Sequence, residues 1–176
     1  VAANFSYHPG SNRIAVSPQE TTRDVEVLSL DPATGVLGFQ QRVLSSGIIT
    51  ATNQAIYDTE WSDNGQFLYL SIHGEAGIQA DVLQYDLTNP LNSLASVLPQ
   101  PNTIFRSFGL QMAPDSSIYH LYQGTAGGPF LLGRLTDTDS VASLVTYTPQ
   151  AFPGNPNFAG TQFPSFAPSD TLNIAV

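Results

Sequence analysis

The sequence predicts an all-β fold built from a repeated unit, and two observations lead to that prediction. A hydrophobic-turn-hydrophobic pattern occurs four times at nearly constant spacing, and its apolar residues alternate with polar ones as in half-buried strands. No segment has the 3.6-residue periodicity of a convincing amphipathic helix, and residues 91–98 could form one short helical turn at most.

Each copy of the pattern consists of a large apolar residue, a tight turn and an alternating strand. The copies occupy residues 7–17, 61–71, 112–122 and 166–176. The third position of each copy is Pro9, Asp63, Pro114 or Pro168, and these positions are separated by 54, 51 and 54 residues. Proline or aspartate followed by glycine, asparagine, aspartate or serine suits a tight connection between antiparallel strands. Each copy therefore predicts a β-hairpin.

A second element follows the first three hairpins, at residues 25–35, 81–90 and 130–139. Each is an alternating strand that ends in a polar turn. A unit of about 50 residues with three or four short antiparallel strands has the size of one β-propeller blade. The predicted blades are residues 4–54, 55–107 and 108–162, with a partial blade at 163–176.

Ring closure sets a further expectation for these units. A propeller closes with typically four to eight blades, and an open stack of three and a half blades would expose apolar faces and strand edges. We therefore expect the 176 residues to be a portion of a larger closed propeller, completed by further chain or by a partner subunit.

The hairpin motif also resembles a known group of repeats. Residues 61–71 are similar to the F-S-P-D-G-x-x-L-Y-V pattern of YVTN-type repeats, a branch of the WD-like propellers. Residues 56–87, 109–119 and 163–166 resemble, in order, the propeller domains of large Bacteroidota surface proteins associated with gliding motility and type IX secretion. The chain departs from the pattern where Ser116 replaces glycine, and it contains no sorting domain.

This resemblance implies a non-enzymatic binding or scaffolding propeller that is extracellular or associated with the outer membrane. Its partner would be a protein or a glycan. Loops at the blade rims would make the contact, because rigid blades present variable loops. The candidate loops are residues 74–77, 124–130 and 149–160.

A second resemblance keeps an enzymatic alternative open. Residues 7–17 together with 30–37 are similar to propeller lactonases that hydrolyse 6-phosphogluconolactone. Such a hydrolase of sugar lactones would need a cationic cluster for the phosphate, and the net charge of −9 opposes an anionic substrate. The arginines are scattered among the units: Arg13, Arg23, Arg42, Arg106 and Arg134. We therefore predict no enzymatic activity and assign no catalytic residue.

The composition excludes several other classes of function. The chain has no lysine, so it cannot form a P-loop or a Schiff base, and it lacks the basic face that nucleic acids require. It has no cysteine, which excludes disulfides, thiolate nucleophiles and iron–sulfur clusters. The chain contains no run of about 18 apolar residues, so the sequence predicts no transmembrane segment.

The ionisable residues suggest few sites. His8 precedes the turn at Pro9, His73 follows the predicted strand 67–72, and His120 lies inside the predicted strand 118–122. Because these places differ, we interpret each histidine as a turn or edge residue and predict no shared metal site. Asp58 and Glu60 share one face of a strand, which fits a catalytic carboxylate pair, a calcium or surface role, or a solvated face. Asp137 and Asp139 have the alternate spacing of calcium loops but lack the glycine and the closing glutamate. We interpret residues 137–139 as a polar turn, with calcium as the one cofactor left open.

The aromatic residues recur at corresponding positions of the blades. This recurrence predicts that they form the core between blades. The set is Phe5, Tyr7, Trp61, Phe67, Tyr69, Tyr85, Tyr119 and Phe166.

Overall fold

The all-β prediction is confirmed by a computed structural model, which describes residues 3–18, 24–43, 54–74, 79–89, 94–152 and 160–163. These residues form three four-stranded antiparallel sheets. Their only helical element is a 3-10 helix at Ala142–Leu144. The fourth predicted hairpin, residues 166–176, lies outside the described residues, and so does Arg23.

In every sheet the strands follow one another in chain order, each antiparallel to the next. The first sheet contains β1 (Ala3–His8), β2 (Arg13–Pro18), β3 (Val25–Leu30) and β4 (Leu37–Val43). The second contains β5 (Ala55–Trp61), β6 (Phe67–His73), β7 (Asp81–Asp86) and β8 (Leu94–Ser96). The third contains β9 (Arg106–Met112), β10 (Ile118–Gln123), β11 (Leu131–Thr136) and β12 (Thr146–Thr148).

The first two strands of each sheet are the predicted hairpins. Tyr7 pairs with Ile14 in the first, and a residue with positive φ, Asn12 at 50°, reverses the chain between them. The turns of the second and third hairpins use Gly65 at 70° and Ser116 at 57° in the same way. The predicted second elements are β3, β7 and β11. The helical turn suggested within residues 91–98 is wrong where the chain is described, because 94–96 form β8 and pair with β7.

The first and second sheets pack face to face on an apolar core. The first sheet contributes side chains of alanine and valine size, among them Ala15, Val25 and Val27. The second contributes larger ones, including Trp61 and Leu68. All five are buried, and burying a leucine or valine side chain stabilises a fold by roughly 1.5–3 kcal/mol.

The opposite side of the second sheet packs on the third sheet. Phe67, Tyr69 and Val82 meet Ile118 and Leu135 there, and all five are buried. The second sheet is therefore covered on both sides and lies in the middle of a stack of three. Among the described residues no helix is long and apolar enough to span a membrane.

The prediction that the recurring aromatic residues form the core is confirmed only in part. Trp61, Phe67, Tyr69 and Tyr85 are buried, as expected, and Tyr119 is half-buried. The prediction is wrong for Phe5 and Tyr7, which are 70% and 47% exposed. They lie on the side of the first sheet that faces away from the second. Phe166 lies outside the described residues.

Candidate functional site

Among the described residues, two clusters of buried or half-buried polar side chains have potential chemistry. The first is the serine–histidine network, made of Ser71, Ser107, His120 and Tyr147. The second is the carboxylate pair, Asp58 and Glu60. Both lie between the second and third sheets, where β5 and β6 pack against the third sheet.

A continuous series of hydrogen bonds links the serine–histidine network. The hydroxyl of Ser107 lies 2.7 Å from that of Ser71 and 2.7 Å from Nε2 of His120. The other ring nitrogen of His120, Nδ1, lies 3.2 Å from the hydroxyl of Tyr147. A serine hydroxyl beside an imidazole nitrogen at this distance has the geometry of a nucleophile and its base.

Burial prevents this arrangement from acting as a nucleophile on a substrate. Ser71, Ser107 and His120 have no solvent-accessible surface, so no substrate atom can reach the hydroxyl. Burial also lowers the pKa of His120 to about 3, so the ring is neutral at physiological pH. We therefore interpret the network as a way to satisfy polar groups inside the core, where unpaired groups would destabilise the fold.

The two carboxylates bind backbone amides of the neighbouring sheet. Oδ2 of Asp58 accepts a hydrogen bond from the N–H of Leu110 at 2.9 Å. Oε2 of Glu60 accepts one from the N–H of Met112 at 3.0 Å. The other oxygens of the two groups accept from the amides of Thr59 and Trp61, at 2.9 and 2.8 Å. All four carboxylate oxygens thus have backbone donors, and the pair cross-links β5 to β9.

The environment of the pair opposes its ionisation. Burial raises the pKa of Asp58 to about 6 and that of Glu60 to about 7, although the amide hydrogen bonds favour the charged forms. The prediction that the two residues share a face is confirmed, because both reach β9. The alternative of a solvated face is wrong, since the exposed fraction of Glu60 is only 8%.

The other two histidines also connect the sheets. At the end of β1, Nδ1 of His8 accepts a hydrogen bond from the N–H of Ser11 at 3.1 Å. Its Nε2 therefore donates to the carbonyl of Asp63, 2.8 Å away, in the turn of the second sheet. His73, at the end of β6, places Nδ1 3.1 Å from the carbonyl of Ser107. Both histidines lie at strand ends, as predicted.

The prediction that His120 lies inside a strand is confirmed, but its interpretation as a turn or edge residue is wrong. It lies inside β10, which is flanked by strands on both sides, and its side chain enters the core. The sequence around His120, between Tyr119 and Leu121, does not show that it is buried. Its partner Ser107 belongs to another strand, β9. In the part of the chain that the structure describes, no three histidine, aspartate or glutamate side chains are placed to share a metal ion.

Asp137 and Asp139 lie in the turn that follows β11. Asp137 adopts a positive φ of 58°, and its Oδ2 accepts a hydrogen bond from the hydroxyl of Thr136 at 3.2 Å. Oδ1 of Asp139 accepts one from the N–H of Asn64 at 2.9 Å. The polar-turn interpretation is confirmed, and the turn also joins the third sheet to the second.

The described arginines have separate environments. The guanidinium of Arg13 lies 4.8 Å from the ring centre of Trp61 and also donates to the carbonyl of Gly65. Arg42 pairs with Glu26 at 3.0 Å, and Arg134 pairs with Asp115 at 3.0 Å. The guanidinium of Arg106 lies over the ring of Phe105.

Two exposed features remain as candidate binding surfaces. One is the loop at 124–130, in which Thr125, Ala126 and Pro129 are exposed. The loops proposed at 74–77 and 149–160 lie partly outside the described residues. The other is the outer face, which we define as the side of the first sheet that carries Phe5, Tyr7, Ile14, Val16, Leu28, Leu37 and Phe39.

The outer face is largely apolar and open to solvent. Besides Phe5 and Tyr7, Leu37 is 52% exposed and Phe39 is 62% exposed. The alternation of Phe5 and Tyr7 with polar residues along β1 identifies an apolar side of this strand. The sequence does not show, however, which side of the strand a neighbouring sheet covers. No protein-family model matches the chain, and no curated protein shows a significant match to it.

Proposed function

We propose that the chain forms part of a β-propeller that acts as a non-enzymatic binding or scaffolding module on a bacterial cell surface. The partner is a protein or a glycan, contacted by rim loops such as residues 124–130. The association with gliding motility and type IX secretion is part of the proposal and rests on the sequence resemblance. Three sheets of four antiparallel strands, stacked in chain order, support the propeller architecture.

One observation carries the choice of a binding function over an enzymatic one. The reactive side chains described above are engaged in bonds between strands, and the serine–histidine pair has no solvent-accessible surface. A catalytic group must reach a substrate atom, either directly or through one water. A stack of sheets whose serine–histidine network and carboxylate pair are hydrogen-bonded inside is suited to presenting loops at its surface.

Two of the arginines that the structure describes give the lactonase alternative no support. A phosphate site needs cationic groups that converge on one anion. Arg42 and Arg134 lie in different sheets, and each pairs with a carboxylate of its own sheet.

Binding to intact cells tests this proposal. The fluorescently labelled chain should bind saturably to cells of a Bacteroidota species. Ala126→Arg should weaken that binding about tenfold or more, because it adds a long charged side chain at the centre of the exposed loop. Ala95→Arg is the matched control, since Ala95 is also exposed but lies in β8 of the second sheet. The absence of saturable binding, or equal loss in both variants, would contradict the proposal.

A further inference from the structure

The outer face occupies the same position in the first sheet as a packed face does in the other two. Tyr7 pairs with Ile14 on this face, and the corresponding hairpin pairs are Trp61 with Leu68 and Met112 with Ile118. Trp61 and Leu68 are buried against the first sheet. Ile118 is buried against the second, and Met112 packs beside it. In both packed sheets this side lies against the sheet that precedes it in the chain.

The outer face presents the residue types that form these interfaces. Four of its side chains are large, apolar and about half or more exposed: Phe5, Tyr7, Leu37 and Phe39. Its charged groups form one cluster at β3 and β4, where Arg42 lies 3.0 Å from Glu26 and 3.8 Å from Asp24. Exposed apolar patches of this kind mark interaction sites. A partner of this face needs apolar surface rather than charge.

The interface between the first and second sheets indicates the shape of that partner, because Trp61, like Tyr7, is a bulky aromatic residue at this position. At the other interface the position holds Met112, and the preceding sheet presents the larger Phe67 and Tyr69. Between the first and second sheets, bulky residues such as Trp61 are received by side chains of alanine and valine size, among them Ala15, Val25 and Val27. Tyr7 of the outer face corresponds to Trp61, and Phe5 corresponds to Thr59, which also faces the first sheet and whose hydroxyl lies 3.1 Å from the hydroxyl of Ser6.

We infer that the outer face docks a further four-stranded antiparallel sheet whose facing side carries side chains of alanine and valine size. This inference rests on the repeat architecture of the proposed function, but it does not depend on the partner of the rim loops. The stack of sheets then continues beyond β1, and Phe5, Tyr7 and Phe39 become core residues. The first sheet itself offers such a small-residue side, so a copy of it can serve as the probe.

The test uses a fusion in which a second copy of residues 3–53 precedes residue 3 of the chain. The original copy carries Phe5→Cys, which is the only thiol because the chain has no cysteine. We expect a thiol reagent to label this cysteine at least about tenfold more slowly in the fusion than in the single chain, because the added sheet excludes the reagent. A cysteine at the exposed loop, Thr125→Cys, is the control and should react equally in both proteins.

Amide hydrogen exchange in the added copy completes the experiment. Protected amides in added strands β2 and β3 together with slow labelling at position 5 support the inference. Protected amides with unchanged labelling would overturn it, because the added sheet would then have folded without docking. Unprotected amides would overturn it as well, since a sheet of the stated chemistry, tethered beside the face, would have failed to pack there.

Sedimentation of the single chain at increasing concentration shows whether a second copy of the chain binds the outer face. A dimer that forms with rising concentration and is abolished by Phe39→Ser would assign the outer face to self-association and overturn the inference. Failure of the fusion experiment leaves loop-dependent cell binding intact, and the loss of cell binding leaves the docking result intact.

Discussion

At the scale of single residues, the buried polar side chains of this protein act as connections between strands. Ser107 bridges two strands through Ser71 and His120, and Glu60 binds the backbone of β9. A buried polar group destabilises the fold when its partner is removed, because it then stays desolvated without a hydrogen bond. The polar interior is therefore expected to control stability.

Removal of the Ser107 hydroxyl tests this role. Ser107→Ala leaves both Ser71 and Nε2 of His120 without their shared partner, so we expect a loss of about 1–3 kcal/mol in the free energy of unfolding. Urea denaturation measures the change. Ser143→Ala, at an exposed position in the 3-10 helix, should change the stability by less than about 0.5 kcal/mol. Equal stability of the two variants would show that the network contributes little.

The carboxylate pair predicts a dependence of stability on pH. Burial raises the pKa of Glu60 from its ordinary value of 4.5 to about 7. Between these values the folded protein retains a proton that the unfolded chain has released, so the contribution of Glu60 to stability falls as the pH rises from about 4.5 to about 7. The raised pKa of Asp58 acts in the same direction. The lowered pKa of His120 acts in the opposite direction, because its neutral buried ring disfavours protonation as the pH falls.

A comparison with Glu60→Gln isolates this residue from the opposing groups. The free energy of unfolding of the wild type should fall relative to that of Glu60→Gln by up to about 3 kcal/mol between pH 4.5 and pH 7. Urea denaturation across this range measures the difference. Ser143→Ala, which changes no titratable group, should keep a constant difference from the wild type across the same range. If the difference in unfolding free energy between the wild type and Glu60→Gln stayed constant, or if the wild type gained stability relative to the variant as the pH rose, the raised pKa of Glu60 would be refuted.

At the scale of elements, the turn of the second hairpin makes contacts with the neighbouring first sheet. Gly65 has a φ of 70°, and a Cβ atom there would lie 2.6 Å from a ring carbon of His8 and 2.9 Å from the guanidinium of Arg13. The turn of the second sheet thus needs glycine both for its backbone conformation and for its contact with the first sheet.

Two glycine variants separate these effects. Gly65→Ala should cost about 2–4 kcal/mol, because strain at positive φ adds to a collision with His8 and Arg13. Gly35→Ala has nearly the same φ, 71°, but nothing lies within 4 Å of the added atom, so it should cost only about 1 kcal/mol. Thermal or urea unfolding of both variants gives the comparison. Equal losses would show that the contact between sheets adds nothing to the backbone effect.

The elements themselves could be predicted from the sequence because their signals are local. Turn residues and alternation located the three described hairpins and the strands β3, β7 and β11. The short strand β8 was mistaken for a possible helical turn, since three residues carry almost no periodicity and its pairing with β7 depends on a distant segment. The burial of Ser107 and His120 could not be predicted, because each becomes buried only when the second and third sheets pack together.

At the scale of the whole molecule, the sheets stack in chain order and the second sheet is covered on both sides. Equivalent positions in a repeat therefore differ in burial according to their place in the stack. This explains why Trp61 is buried while Tyr7, which occupies the same position in its hairpin, is half exposed. Sequence periodicity identified the equivalence correctly, but it could not show which sheet lies at an end of the stack.

Hydrolysis of a panel of sugar lactones, including 6-phosphogluconolactone, decides between a binding module and an enzyme. The wild-type protein and Ser107→Ala are compared with the uncatalysed reaction at equal protein concentration. Because the described serine–histidine pair is inaccessible and serves the core, we expect rates at background for both proteins. Turnover by the wild type well above background would contradict a purely binding function, and the loss of that turnover in a folded Ser107→Ala variant would assign it to the buried serine.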